Sequence, residues 1–178
     1  MATLEELKAK AVAMLDMAYV PYSHFPVGAA LECEDGAVFT GCNIENSSYG
    51  LTNCAERTAA FKAVSEGHRR FKRIVIAGRS DDYCYPCGAC RQVLYEFGPD
   101  MEVVCLNKDN EEKHLHIKEL LPYGFDQTWL AIDEKSVAAV LSLCLLRLPP
   151  GEALIVSVPL TVEISSSLIS PPSSADTV

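Results

Sequence analysis

Two short segments about thirty residues apart constrain the fold more than any other feature of this sequence. The first is Cys54-Ala55-Glu56, and the second is Pro86-Cys87-Gly88-Ala89-Cys90. Three thiols at this spacing can hold one zinc ion only if the fold brings the two segments together. Three protein ligands leave a tetrahedral zinc with an open fourth position, which is typical of a catalytic site. A carboxylate as close as Glu56 can then transfer protons at that position.

The N-terminal third of the sequence predicts a helix followed by a β-hairpin. Thr3 and Glu6 form a potential capping box ahead of a run of apolar residues at helical spacing. The apolar stretches 25–31 and 37–39 lie on either side of Asp35-Gly36, a pair that favours a tight turn. We therefore expect two antiparallel strands here.

The rest of the pattern alternates helices with strands. Helices are predicted over 54–66, with Thr52 or Asn53 as its cap, and over 88–97. A buried strand is expected over 74–77. Further strands are expected over 101–106 and 113–117, and a helical turn over 118–121. The order α-β-β-α-β-α-β-β indicates a mixed sheet with helices on both faces, which is a layered α/β domain.

This arrangement places the cysteines at helix N-termini. Cys54 begins one predicted helix, and Cys87 and Cys90 begin the next. The positive end of a helix dipole and its free amides favour a thiolate over a thiol. The basic run 68–73 is instead expected to form a solvated loop face.

Charge and cysteine content exclude several classes of protein. Lys and Arg number 15 against 24 Asp and Glu, a formal charge of −9 that opposes a polyanionic partner such as nucleic acid. The segment 1–10 is polar, without the apolar core of a secretory signal, and no apolar stretch reaches membrane-spanning length. We therefore expect a cytoplasmic protein in which most of the eight cysteines are reduced and buried.

Composition changes after about residue 133. Residues 134–178 contain six of the 39 charged residues but five of the ten prolines. We expect a catalytic domain over 1–133 and a C-terminal extension over 134–178 with two apolar segments. Its end, 165–178, is rich in Ser and Pro and is predicted to be disordered. Whether the apolar segments pack on the domain or pair with another chain stays open.

The cysteine spacing by itself has other interpretations. Cys87 and Cys90 alone could form a redox pair, half of a structural zinc site or two packed thiols. Cys84 extends the run to three cysteines, as in some iron–sulfur proteins, although the Cys-Pro that usually follows is missing. Cys84 could also supply a fourth thiolate, which would close the zinc site and abolish catalysis.

Further motifs surround the two segments. They are Phe25-Pro26-Val27-Gly28-Ala29, Gly41-Cys42-Asn43-Ile44-Glu45-Asn46, Cys54-Ala55-Glu56-Arg57, Pro86-Cys87-Gly88-Ala89-Cys90-Arg91-Gln92, and Leu120-Leu121-Pro122 with Phe125. Over roughly residues 5 to 125, the chain resembles the cytidine deaminases, in particular their small, homotetrameric, three-cysteine class. The resemblance implies a three-layer α/β/α domain with a mixed five-stranded sheet.

The resemblance also implies an activity, which is zinc-dependent hydrolysis of cytidine and deoxycytidine to uridine and deoxyuridine in pyrimidine salvage. Cys54, Cys87 and Cys90 would bind Zn²⁺, and hydroxide formed on the metal would attack C4 of the base. Glu56 would pass a proton to N3 and then to the departing amino group.

Other matched positions are implied to support the metal or bind the substrate. Arg57 and Arg91 would donate hydrogen bonds to the sulfurs and offset their negative charge. Asn43 and Glu45 would hold the ribose. The remaining substrate-binding positions are Phe25 beside the base, Ala55, and Tyr49 and Phe125, which would reach a neighbouring subunit's pocket.

Three alternatives follow from the same sequence. A catalytically silent, zinc-stabilised oligomer would not need Glu56. An enzyme that edits polynucleotides is opposed by the net charge of −9. A deaminase of a modified cytosine nucleoside is closer, but Asn43 and Glu45 suit ordinary ribose better.

Overall fold

A mixed five-stranded sheet forms the middle layer of the fold in the computed structural model, which describes residues 1–126 and Thr128. Its strands lie in the order β2-β1-β3-β4-β5. They are β1 (Val27–Cys33), β2 (Val38–Cys42), β3 (Phe71–Gly78), β4 (Glu102–Leu106) and β5 (Glu112–His116). Among neighbouring strands, only β3 and β4 run parallel, because the chain crosses between them through the helix Gly88–Phe97. The other pairs are antiparallel.

Helices cover both faces of this sheet. They are α1 (Leu4–Ala13), α2 (Ala55–Ser65), α3 (Gly88–Phe97) and α4 (Ile117–Leu120), with short 3-10 turns at Met14–Met17 and Tyr49–Leu51. In the described part of the chain, no helix is both long and apolar enough to span a membrane. The expected extension over 134–178 lies outside the described residues.

Alternate residues along the strands separate two apolar clusters. Ala30, Val75 and Val104 pack with α1 on one face, whereas Leu31 and Ile76 pack with the residues of α2 and α3 on the other. This alternation follows from the two-residue period of a strand. The predicted three-layer α/β/α arrangement with a mixed sheet is confirmed.

Several predicted element boundaries match the structure. Thr3 and Glu6 form the capping box of α1, with Oγ1 of Thr3 accepting from the amide of Glu6 at 3.2 Å. The β1–β2 hairpin and α3 lie where the pattern placed them. The N-terminus of α2 differs, since Cys54 itself is the N-cap residue and no side chain caps it, so the prediction of Thr52 or Asn53 was wrong.

The basic run 68–73 was also predicted only partly correctly. Its second half is not a loop, because β3 begins at Phe71, whose side chain is buried. The two charged residues that follow are paired across the sheet. Arg73 donates to Glu102 at 2.5 Å, and the Lys72 ammonium lies 3.5 Å from the buried Glu32. The ion pairs with Glu32 and Glu102 therefore stabilise β3 at residues that precede its apolar stretch.

Candidate metal centre and substrate pocket

The three predicted cysteine ligands lie together at the N-termini of α2 and α3. Cys54 is the N-cap of α2, Cys87 is the N-cap of α3, and Cys90 is in the first turn of α3. Their sulfur atoms all lie within 4.8 Å of one another, and the sulfurs of Cys54 and Cys87 are 3.8 Å apart. The parallel strands β3 and β4 and the crossover through α3 bring the two segments to the same place.

This geometry fits a zinc ion. A tetrahedral zinc with Zn–S bonds of about 2.3 Å holds its sulfurs about 3.8 Å apart, which is the separation between Cys54 and Cys87. Three thiols are a donor set that binds thiophilic ions such as zinc in preference to magnesium or calcium. Cys87 is exposed while Cys90 is buried, so the cluster is reachable from solvent on one side.

The thiol charges depend on each other. A hydrogen bond with Cys90, helped by the Arg57 guanidinium, lowers the pKa of the Cys54 thiol to about 5. The same bond and burial raise the pKa of Cys90. Cys54 is therefore the more readily ionised thiol of the two, and a bound dication would favour the thiolate form of both.

Glu56 lies one helical position beyond Ala55, on the buried side of α2. Its side chain is buried, with 4% of the residue exposed. Burial, together with the charge of the nearby Cys54 thiolate, raises the pKa of this carboxyl to about 7. A carboxyl group in this state can both accept and donate a proton near neutral pH.

The two arginines that follow the ligands make different contacts. Arg57 Nη2 donates to the Cys54 sulfur at 3.7 Å and to the Thr52 carbonyl at 3.1 Å. The Arg91 guanidinium donates instead to the carbonyls of Pro86 and Leu120, at 2.8 and 2.9 Å. Arg57 therefore stabilises negative charge on the Cys54 sulfur, whereas Arg91 holds the loop before α3 to the C-terminal end of α4.

Cys84 lies near the cluster but outside it. Among the described residues, the group of convergent sulfurs contains Cys54, Cys87 and Cys90 without Cys84. Cys84 is buried beneath Gly78, and its amide bonds to the Leu106 carbonyl at 3.1 Å. Burial raises the pKa of its thiol to about 12. These findings argue against a fourth thiolate ligand.

Asn43 and Glu45 turn toward the same neighbouring segment. Oδ1 of Asn43 accepts from the Val27 amide at 2.9 Å, and its Nδ2 donates to the Phe25 carbonyl at 2.8 Å. Oε2 of Glu45 accepts from the amides of Tyr22 and Ser23, at 2.9 and 3.2 Å. Hydrogen bonds with the Ser23 side chain and these two amides lower the pKa of Glu45. Both side chains are thereby held in fixed positions beside the loop that precedes β1.

A surface cavity of about 280 Å³ opens beside Glu45. Tyr22, Ser23, Tyr49 and Thr52 line it with Glu45, and the rings of Tyr22 and Tyr49 lie 5.7 Å apart. Tyr22 and Ser23 were not predicted from the sequence to belong to the site, and Thr52 was predicted only as a helix cap. The signal that could have found the first two is their place in a polar, aromatic loop between a helix end and a strand.

The remaining predicted substrate residues are spread around this region. Phe25 is 43% exposed, and the tip of its ring lies beside Gly78. Ala55 is fully buried at the start of α2. Phe125 is 54% exposed, and its carbonyl accepts from Nε2 of Gln92 in α3 at 2.7 Å. Phe25 thus lies beside the same glycine as Cys84, whereas Phe125 is held against α3.

The chain matches a family model and named relatives. The model of the zinc-binding region of cytidine and deoxycytidylate deaminases matches residues 1–107. A cytidine deaminase of Sporosarcina psychrophila is 49% identical over 125 residues, which cover 70% of this chain and 92% of that protein. A probable cytidine deaminase of Dictyostelium discoideum is 56% identical over 111 residues, or 62% of this chain and 75% of that protein.

Solved structures agree with these sequence matches. The crystal structure of a cytidine deaminase from Burkholderia pseudomallei has a TM-score of 0.67 and 48% identity, and the match covers 70% of this chain and 100% of that one. A cytidine deaminase from Mycobacterium tuberculosis has a TM-score of 0.62 and 37% identity, covering 70% of this chain and 98% of that one. The matches therefore include whole chains of known structure.

Proposed function

The chain belongs to the cytidine and deoxycytidylate deaminase family, and we propose that it is a zinc-dependent deaminase of free cytidine and deoxycytidine. The products are uridine or deoxyuridine and ammonia, a reaction of pyrimidine salvage. One observation carries the proposal, which is the convergence of three cysteine sulfurs beside the buried carboxyl of Glu56. Burying the Glu56 carboxyl costs desolvation free energy, and a catalytically silent, zinc-stabilised oligomer would gain nothing from it.

The residues of this chain divide the chemical work. Cys54, Cys87 and Cys90 hold the zinc, which supplies a Lewis acid that lowers the pKa of water. Glu56 removes a proton from the attacking water and delivers it to N3 of the pyrimidine as the C4–O bond forms. It then takes the remaining proton from the hydroxyl on C4 and delivers it to the amino nitrogen, so that the C4 carbonyl forms, the C–N bond breaks and ammonia leaves. One carboxyl that accepts and donates a proton in each step serves both steps.

Asn43 and Glu45 hold the sugar in this proposal. The contacts described above use Oε2 of Glu45 and one amide hydrogen of Asn43. Oε1 of Glu45 and the second amide hydrogen of Asn43 can therefore bind a sugar hydroxyl. Cytidine and deoxycytidine share the 3′-hydroxyl, so this pair can accept both nucleosides. Phe25 packs beside the base. Ala55 was expected to contact the base, but it is fully buried and instead packs in the apolar core at the start of α2.

We propose further that the active protein is a homotetramer in the cytoplasm. Tyr49 and Phe125 are 74% and 54% exposed, and Leu51 is 71% exposed beside the cavity. Large exposed apolar side chains around a pocket support an interface with another chain. Each pocket would then be completed by a neighbouring subunit through Tyr49 and Phe125. A cytoplasmic location suits thiolate ligands, because thiols stay reduced there.

One experiment tests the activity and its alternatives. The purified protein is assayed for zinc content and for deamination of cytidine, deoxycytidine, deoxycytidine monophosphate and single-stranded DNA. We expect one zinc per chain and turnover of the two free nucleosides. Zinc without turnover of any substrate would support the silent oligomer, and preference for DNA would support an editing enzyme. Sedimentation of the same sample tests the tetramer.

A further inference from the structure

A second cluster of potential metal ligands lies away from the cysteine centre. The ligand atoms of Cys33, Asp35 and His68 all lie within 4.8 Å of one another. They combine a thiol, a carboxylate and an imidazole. Nδ1 of His68 and Oδ2 of Asp35 already lie 2.6 Å apart.

Three different elements bring these side chains together. Cys33 is the last residue of β1, where the pairing with β3 changes register. Asp35 is in the hairpin turn, and its Oδ1 accepts from the Ala37 amide at 3.0 Å, which leaves Oδ2 directed to His68. His68 follows the end of α2, where its amide bonds to the Ala63 carbonyl at 2.9 Å. The backbone therefore holds all three positions before any ligand binds.

The cluster opens into a surface cavity of about 260 Å³. Cys33, Asp35 and His68 all line this cavity. Asp35 is open to solvent and His68 partly so, whereas Cys33 lies beneath them with 1% of the residue exposed. Glu34, Arg69 and Arg70 line the same cavity, and the buried Glu32 precedes Cys33 in β1. A thiolate and a carboxylate would bring two negative charges, which a dication neutralises, and the arginines can offset the nearby glutamates.

The donor set selects the kind of ion. A sulfur and an imidazole nitrogen suit borderline ions such as zinc, whereas magnesium and calcium prefer oxygen ligands alone. Zinc ligand bonds are about 2.0–2.3 Å long, so neighbouring donors lie roughly 3.3–3.8 Å apart around the ion. The Asp35–His68 pair would have to open by several tenths of an ångström, which rotation of an exposed carboxylate allows.

We propose that Cys33, Asp35 and His68 form a second binding site for zinc, separate from the catalytic centre. Bound metal would join the turn of the β1–β2 hairpin to the C-terminal end of α2. Cys54 and Glu56 lie at the other end of the same helix, so metal bound here would hold α2 against the hairpin at the end away from the catalytic centre. It would stabilise the folded chain by mass action.

Cobalt titration of the zinc-loaded protein tests this proposal. The catalytic site is filled with one equivalent of zinc, and Co²⁺ is then added while absorption of thiolate-to-cobalt charge transfer is recorded. Wild type should bind one equivalent of cobalt with this absorption. Cys33→Ser should remove the absorption. His68→Gln should weaken cobalt binding, and the loss of affinity should exceed the roughly tenfold loss expected when a residue that only orients a metal ligand is removed.

Cys42→Ser is the matched control, because Cys42 is another buried strand cysteine outside both metal clusters. It should leave the cobalt absorption unchanged. Deamination and zinc content of each variant show that the fold and the catalytic site are intact, so failure of this proposal is distinct from failure of the proposed activity. Absence of cobalt–thiolate absorption in wild type, or its persistence in folded Cys33→Ser, would overturn the second site.

Discussion

At the residue scale, the candidate active site depends on groups whose charge is set by their surroundings. Burial raises the pKa of Glu56 to about 7, whereas a hydrogen bond with Cys90 and the Arg57 guanidinium lower that of Cys54 to about 5. A carboxyl and a thiol two residues apart are thus shifted in opposite directions. The physical difference is that Cys54 accepts hydrogen bonds from neighbouring donors, whereas Glu56 is shielded from water and lies beside a thiolate.

Glu56→Gln should retain zinc and abolish nearly all deamination. The amide keeps the shape of the side chain but cannot transfer protons, so kcat should fall by at least roughly 10²–10⁴-fold. Zinc content and kcat on cytidine measure the two effects. Glu66→Gln is the control, since Glu66 is exposed at the other end of α2 and should be silent. Unimpaired turnover in Glu56→Gln would exclude a proton-transfer role.

Arg57→Gln and Arg91→Gln should separate charge from architecture. Loss of the Arg57–sulfur contact should lower kcat by roughly 10–100-fold. Because Arg57 donates to one backbone carbonyl and Arg91 to two, Arg57→Gln should lower the stability less than Arg91→Gln does. Loss of Arg91 leaves two backbone carbonyls without their donor and should lower the free energy of unfolding by about 1–3 kcal/mol. Steady-state kinetics and urea unfolding of both variants decide the matter. Equal effects on both quantities would contradict this separation.

At the element scale, the position of α2 on the sheet places the site. The helix presents small buried residues, including Ala55, Ala59 and Ala63, to the sheet. Gly41 in β2 allows this close approach, because a Cβ there would lie 2.4 Å from the Ala55 carbonyl and 2.5 Å from the Ala59 amide. Both neighbours are backbone atoms, so relief would require the whole helix to move.

Gly41→Ala should therefore displace the N-terminus of α2 and weaken both folding and metal binding. We expect destabilisation of about 1–3 kcal/mol, the typical cost of overpacking, together with lower zinc affinity. Thermal unfolding and competition with a zinc chelator measure these changes. The control is Gly50→Ala, because an added Cβ at Gly50 meets nothing within 4 Å. A Gly41→Ala protein with wild-type Tm and zinc affinity would refute the argument.

At the scale of the whole molecule, a chain of charges joins helix α1 to three strands. Lys8 pairs with Glu112 at 2.5 Å, and Glu112 lies 2.9 Å from Nε2 of His114. Nδ1 of His114 lies 2.7 Å from Glu102, which accepts from Arg73 at 2.5 Å. Hydrogen bonds with Glu102 and then Glu112 raise the pKa of His114. The imidazolium is thus favoured where strand β5 ends the sheet.

Stability should depend on pH through His114. Because its folded pKa lies above the ordinary value of about 6.5, its contribution is complete below that value and is lost as pH rises through the raised pKa. The difference in unfolding free energy between wild type and His114→Gln should be larger at about pH 5.5 than at about pH 9. Denaturant unfolding at both values measures it. In a Glu102→Gln background this pH dependence should shrink; an unchanged or reversed trend would contradict the assignment.

Removal of residues 134–178 should leave zinc binding and deamination largely intact. Every residue of the proposed site lies before residue 126, and the shared region covers all of the Burkholderia pseudomallei chain. Zinc content, kcat and sedimentation of the shortened protein measure the effect. Loss of zinc or of the oligomer would show that the domain boundary near 133 is misplaced.

Local patterns accounted for much of the fold. The capping box of α1, the β1–β2 hairpin and α3 depend on contacts between residues close in sequence, which a local pattern can indicate. The start of β3 and the N-cap of α2 were predicted wrongly. Both depend on distant partners, such as Glu102 for Arg73, which are not visible along the chain.

By itself, the sequence determined the donor set of the metal centre, the carboxyl beside it and the order of the elements around it. Those properties follow from residue types and short spacings. Tertiary structure alone decided that Arg57 reaches a sulfur while Arg91 reaches two carbonyls, that Cys84 lies outside the cluster, and that Cys33 meets His68. The reason is geometric, because these relations arise only when the sheet and helices bring distant residues into contact.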